Sequence, residues 1–144
     1  MAEWEIYHDP ARIDRERAFD WISNDSYWAA SIPRPTFEKA CDGSVCFGAR
    51  DSATDEQVAF ARVVTDGATF AYLCDVIVDP NRRGEGIGTA LVAAVVAYLE
   101  PLNLRRWSLA TRDAHSLYEK FGFALSPEGS WMDRKFADVY LQAR

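Results

Sequence analysis

Residues 81–100 read NRRGEGIGTALVAAVVAYLE: two arginines, three glycines at alternate positions, then a long apolar run with helical length. A chain that places its most permissive backbone ahead of a helix either makes a tight turn or opens the helix mouth to a ligand. At that mouth the first N–H groups have no partner within the helix, and the aligned peptides carry about half a positive charge. Gly84, Gly86 and Gly88 remove side chains that would shield those amides. Arg82 and Arg83 add fixed charge and bidentate donors suited to phosphate oxygens. Spacing alone leaves both readings open: a glycine-rich turn with solvated arginines, or a seat for a phosphorylated ligand.

The familiar phosphate loops do not fit. A P-loop needs GxxxxGK(S/T), and the next lysine after these glycines is Lys120. A dinucleotide fold wants GxGxxG inside an early βαβ unit, whereas the spacing here is GxGxG and the turn follows antiparallel-looking strands.

Working outward, the strand before the turn spans 69–78 and begins after the hairpin signal Asp66-Gly67. Strands at 45–50 and 58–64 precede it, joined by the polar turn 51–57. Further upstream lie a first strand at 4–7 and a helix over 12–22, with Ile13, Ala18, Phe19 and Ile22 on its apolar side. Pro33 and Pro35 interrupt the chain before a short helix at 36–41. Downstream, 104–110 reads as a strand. Ala114, Leu117, Tyr118 and Phe121 then fall on one face of a short helix that Gly122 closes. Segments 123–125 and 131–136 read as the last strands. The order predicts an α/β fold in a single domain over 1–144, a mixed, mostly antiparallel sheet flanked by helices.

Composition narrows the function. With 49% hydrophobic and 13% aromatic residues the chain can bury a core, and its net charge of −6 argues against a dedicated nucleic-acid binder. Cys41, Cys46 and Cys74 form no CxxC pair and lack the ligand spacing of a zinc site, so they read as buried thiols, with no metal. Residues 1–5 lack the basic start and apolar stretch of a signal peptide, and no segment is long enough to cross a bilayer. The expectation is a soluble, cytoplasmic protein with no membrane partner.

Arg83-Gly-Glu-Gly-Ile-Gly matches the (R/Q)xxGx(G/A) element of the Gcn5-related N-acetyltransferase (GNAT) family, and the strand YLCDVIVDP precedes it as in that family. About 30 residues later, AHSLYEKFGF (114–123) looks like the family's second signature, AxxLYxKxGF. The pair in this order resembles a small bacterial-type member. The resemblance implies a splayed strand pair that holds acetyl-CoA as co-substrate. The pyrophosphate would sit on Arg83, Gly84, Glu85, Gly86, Ile87, Gly88 and Thr89, with Ile77 and Val78 pairing by backbone with the pantetheine arm. Arg82 becomes a candidate for the 3′-phosphate, with solvent as its alternative. Leu91, Val95 and Leu99 need only be core.

Acetyl transfer to an amine needs a neutral nucleophile and an acid for the departing thiolate. Tyr118 stands at the family's tyrosine position, although it also lies on the apolar stripe where a core tyrosine would sit. Asp75, an acid within an otherwise apolar strand, is the candidate base; pairing with Arg62, or proton loss through ordered water, are the alternatives. His115 points away from the stripe, toward the surface. The chain departs from the pattern at Tyr72, where some members place a base glutamate, and at Thr111, where the second motif often begins with asparagine. Tyr27 and Trp28 would contact the acceptor as a lid, or pack the helices. The function implied is an N-acetyltransferase acting on a small-molecule primary amine in a ternary complex, with room for a homodimer. A non-catalytic acyl-CoA-binding module and acetylation of a protein amine are the competing readings.

Overall fold

A computed structural model describes residues 4–127 and 129–142. Residues 1–3, read above for leader character, lie outside them. Five strands form one sheet in the order β1-β2-β3-β4-β5: β1 Trp4–Tyr7, β2 Val45–Asp51, β3 Gln57–Thr65, β4 Phe70–Val78 and β5 Arg106–Leu109. The first four pair antiparallel, and β5 returns parallel to β4. The helices are α1 Arg15–Asp25, α2 Arg34–Asp42, α3 Ile87–Leu99, α4 His115–Glu119 and α5 Val139–Gln142.

Strand alternation sorts the side chains into two cores. Phe47, Val63, Ala71 and Leu73 face Leu91, Val92, Val95 and Leu99 of α3. Cys46, Phe60 and Ile77 face Ile22 of α1 with Phe37 and Cys41 of α2. The thiols of Cys41 and Cys46 are buried and that of Cys74 is half-buried. Among the described residues no helix is long and apolar enough to cross a membrane.

Three expectations shift for local reasons. The first helix begins at Arg15 because Asp14 caps it, accepting from the Arg17 amide at 3.0 Å, while Pro10–Arg12 forms a separate 3-10 turn. The second begins at Arg34, two residues before the expected start, since Pro35 needs no N–H partner in a first turn. The strands expected at 123–125 and 131–136 do not form. Trp131 lies under the Arg106 guanidinium (4.4 Å) and near Phe70 (6.1 Å) instead of entering a ladder. Leu125 and Met132 stay exposed, so the apolar pattern there finds no face to bury.

Close approach fixes Gly48. Tyr7 is its partner across the β1–β2 ladder, and a Cβ on Gly48 would stand 2.7 Å from the Tyr7 ring. The phenol crosses that gap to donate to Gln57 Oε1 (3.0 Å), and the same oxygen accepts the Asp14 amide at 2.9 Å. Gly48→Ala should therefore displace the ring and cost about 1–3 kcal/mol. Urea unfolding of parent and variant measures it; equal midpoints would show that Tyr7 has room to move.

Candidate active site

β4 runs nine residues and β5 only four. Their parallel pairing covers Phe70↔Arg106 to Leu73↔Leu109 and stops there. Past Leu73, β4 continues to Val78 with β3 on one side and, among the described residues, no strand paired on the other, which leaves a gap in the ladder. Ile77 and Val78, the residues expected to receive the pantetheine arm, lie on this unpaired stretch.

A bulge aims β4 at that gap. Phe60 pairs with Ile77 and Arg62 with Cys74, so β4 holds one residue more than β3 between these pairs. Asp75 takes it up in a left-handed conformation, φ +52°. Its side chain thereby shares the α1–α2 face with that of Arg62. It is 7% exposed; Arg62 Nε donates to Oδ2 at 2.9 Å and the Trp28 indole donates to Oδ1 at 2.8 Å. Both oxygens are engaged. The contacts thus match the Arg62 pairing weighed for this residue. Arg62 also donates to Ser44 Oγ at 3.0 Å.

At the far end of β4, Asp79 caps the 3-10 turn Pro80–Arg82 and is held by Arg17 at 2.9 Å. The glycine turn follows. Gly84 (φ +85°) and Gly86 (φ +90°) adopt backbone that other residues rarely take, and Gly86 is the N-cap of α3 without any side-chain cap. The first helical amide with a backbone acceptor is that of Ala90, on Gly86 O at 3.1 Å. Among the described residues the amides from Arg83 to Thr89 show no such partner in the turn. Gly88 is helical, and a Cβ there would meet only Val78 Cγ2 at 3.6 Å, so its bareness answers to no crowding within the chain. Bare amides, no acidic residue in the first turn and a helix dipole behind them fit a pyrophosphate.

The two arginines part company. Arg82 donates to both Glu85 oxygens (2.9 and 3.0 Å) and pairs with Asp51 at 2.9 Å, and these contacts raise its pKa. These contacts clamp the glycine turn to the end of β2. Arg83 is exposed and has no ion pair among the described residues.

Tyr118 lies on α4. Thr111 Oγ1 accepts the Ala114 amide at 3.0 Å just ahead of that helix. Gly122, at φ +90°, ends it with Gly122 N–H to Glu119 O and Phe123 N–H to Tyr118 O. Tyr118 is 8% exposed, and burial, with Tyr27 and Asp113 nearby, pushes its pKa up to about 12. His115 is exposed. Tyr27 and Trp28, in the loop from α1 to α2, pack edge to face at 5.0 Å. The Tyr27 hydroxyl accepts the Arg112 amide at 3.0 Å, and the Arg112 guanidinium covers its ring at 3.8 Å. This loop therefore ties the bulge of β4 to the segment between β5 and α4. Sequence reasoning assigned no role to Arg112; only the fold brings it to Tyr27.

Residues 4–123 match the sequence model of the Acetyltransferase (GNAT) family. A solved Xanthomonas campestris protein described as a GNAT-family acetyltransferase is 42% identical, covers 97% of this chain and 98% of its own, and superposes with a TM-score of 0.89. A Gibberella zeae protein named for acetyltransferase activity is 32% identical over 130 residues, 78% of this chain and 73% of its own. A Clostridium acetobutylicum acetyltransferase solved with acetyl-CoA shares the fold at 18% identity, with a TM-score of 0.63 over 94% of this chain and 96% of its own.

Tyr118 should keep its proton through the range near pH 10 where ordinary tyrosines lose theirs, and ionise only near pH 12. The phenolate absorbance of parent minus Tyr118→Phe reads this directly. Since the unfolded chain releases the proton first, this group's contribution to stability should fall as pH rises from about 10 to about 12. A difference signal centred at pH 10 would mean the ring is solvated.

Proposed function

The chain belongs to the acetyltransferase (GNAT) family, and from that premise we propose that it moves the acetyl group of acetyl-CoA to a primary amine of a small molecule, by direct attack in a ternary complex in the cytoplasm. The observation that carries this reading is the open edge of β4 beyond Leu73 and Leu109, with the bare amides of the glycine turn following at its end. The amides of Arg83, Gly84, Glu85, Gly86, Ile87, Gly88 and Thr89 would hold the pyrophosphate, with Arg83 as its free cation. The unpaired backbone of Ile77 and Val78 would orient the pantetheine arm as an added strand. Acetyl-CoA, when bound, supplies the activated thioester; a neighbour of the same fold solved with acetyl-CoA supports that choice.

Tyr118 then acts as the general acid. Its phenol, like that of any tyrosine, is protonated at neutral pH, so a proton is on hand when the carbon–sulfur bond breaks. The neutral amine nitrogen forms the new bond to the carbonyl carbon, the sulfur leaves with the proton of Tyr118, and the surplus proton of nitrogen passes through water to restore the phenol. Asp75, with both oxygens held, serves as a positioning residue: it fixes the Trp28 ring and the bulge beside the reacting amine.

An amine panel assayed for CoA release tests the reading. Tyr118→Phe should lower turnover by roughly 10²–10⁴ while acetyl-CoA still binds, since the ring that packs against Phe123 is kept. Normal turnover would make Tyr118 core alone. Tight acetyl-CoA binding with no amine acetylated across a broad panel would instead favour the acyl-CoA-binding module.

The arginines give a second check. Arg83→Ala should weaken acetyl-CoA binding by about 10-fold at low salt and by less at high salt, as expected when one charge-assisted phosphate contact is lost. Titration calorimetry at two ionic strengths measures it; a salt-independent dissociation constant equal to the parent's would leave Arg83 a solvated residue.

A further inference from the structure

The glycine turn is held by residues far from it in sequence. Arg82 spans Glu85, three residues on, and Asp51, the last residue of β2. Asp51 divides its carboxylate between two donors. Oδ1 accepts the Ala53 amide at 2.8 Å, and Oδ2 meets the Arg82 guanidinium at 2.9 Å. The side chain is 15% exposed, and the Ala53 amide, then Arg82, hold its carboxyl below the usual range. Directly across the β1–β2 ladder from Asp51 stands Trp4. A Cβ on Gly86 would lie 3.9 Å from Trp4 Cη2, so the edge of the indole sits against the left-handed residue that opens α3. The indole Nε1 is buried and has no hydrogen-bond partner among the described residues. A ring whose one polar atom bonds to nothing is held there by its apolar body.

Charge alone does not account for Asp51. Two carboxylates, Asp51 and Glu85, face the single cation of Arg82 beside amides suited to an anion. On Coulombic grounds that surplus negative charge repels a pyrophosphate, and removing it would free Arg82 to attract one. Shape does account for it. Gly84 and Gly86 hold φ of +85° and +90°, and such permissive backbone keeps one conformation only where its surroundings impose it.

We propose that Asp51 is a positioning residue for the coenzyme: through Arg82, and with Trp4 as the wall behind Gly86, it fixes the glycine turn in the shape whose amides meet the pyrophosphate. The assignment rests on the acetyl-CoA reading above and adds to it residues of β1 and β2, which lie outside both signature motifs.

Titration calorimetry of the full chain with acetyl-CoA tests it, because the stoichiometry counts folded molecules and the dissociation constant then refers to those alone. Asp51→Asn keeps an oxygen for the Ala53 amide and removes the charge. It should weaken binding about 10-fold, the scale of loss when a binding group is misplaced from a distance. Asp51→Glu, which keeps the carboxylate, should recover most of that loss. Arg82→Ala should weaken binding as well, and the double variant Asp51→Asn/Arg82→Ala should bind no more weakly than Arg82→Ala, since one ion pair carries both effects. Trp4→Phe should bind as the parent does, and Trp4→Ala more weakly. Binding by Asp51→Asn equal to or tighter than the parent's, as charge alone predicts, would overturn the proposal. Additive losses in the double variant, no recovery by Asp51→Glu, or parental binding by Trp4→Ala would overturn it too. A parent chain that does not bind acetyl-CoA would sink it together with the coenzyme reading, whereas the other outcomes leave that reading standing.

Discussion

The structure turns on a strand that loses one neighbour halfway along. β4 is fully paired up to Leu73 and paired on a single side from there to Val78. Backbone groups left without a ladder are costly when buried and useful when a ligand completes them. The rest of the site is arranged about that half-edge. The bulge turns Asp75 toward the α1–α2 face, the glycine turn opens where the strand ends, and α4, which carries Tyr118, follows β5. A fifth strand that followed β4 for its whole length would close the gap and leave the glycine turn facing a wall.

The bulge is expensive and needs its own support. A non-glycine residue at positive φ is strained, and a carboxylate that is 7% exposed must be paired. Arg62 and Trp28 meet both needs at 2.9 and 2.8 Å. Removing one member of such a buried pair typically costs about 3–5 kcal/mol, because the other is left uncompensated. The same two bonds connect β3, β4 and the loop after α1, so the geometry of the reacting gap and that of the Trp28 loop are set together.

Legibility followed the range of the signal. The glycine turn, the Asp66-Gly67 hairpin and the Gly122 cap are written in adjacent residues, and each forms where the sequence places it; Asp66 Oδ1 accepts the amides of Ala68 and Thr69 at 2.9 and 2.8 Å. The bulge left a fainter trace. Ala71 and Leu73 face α3, and so do Val76 and Val78, a change of parity within one strand that marks an extra residue. The ion pairs of Arg82 were only half legible: Glu85 stands three residues away, but Asp51 is delivered only by the sheet. The segments at 123–125 and 131–136 have strand composition, and composition cannot say whether a ladder partner exists.

The pairing of Arg82 bears on how an acidic chain holds an anion. With a net charge of −6, long-range attraction is weak, and screening removes most of it beyond about 8 Å at physiological salt. Arg82 spends its charge on Asp51 and Glu85 and gives the turn shape instead of potential. What remains is short-ranged: the bare amides ahead of α3, the dipole behind them and the single guanidinium of Arg83. Such a seat discriminates by fit. It favours a group whose oxygens can meet several N–H donors at once, as a pyrophosphate can, and it offers little to an anion that merely drifts near.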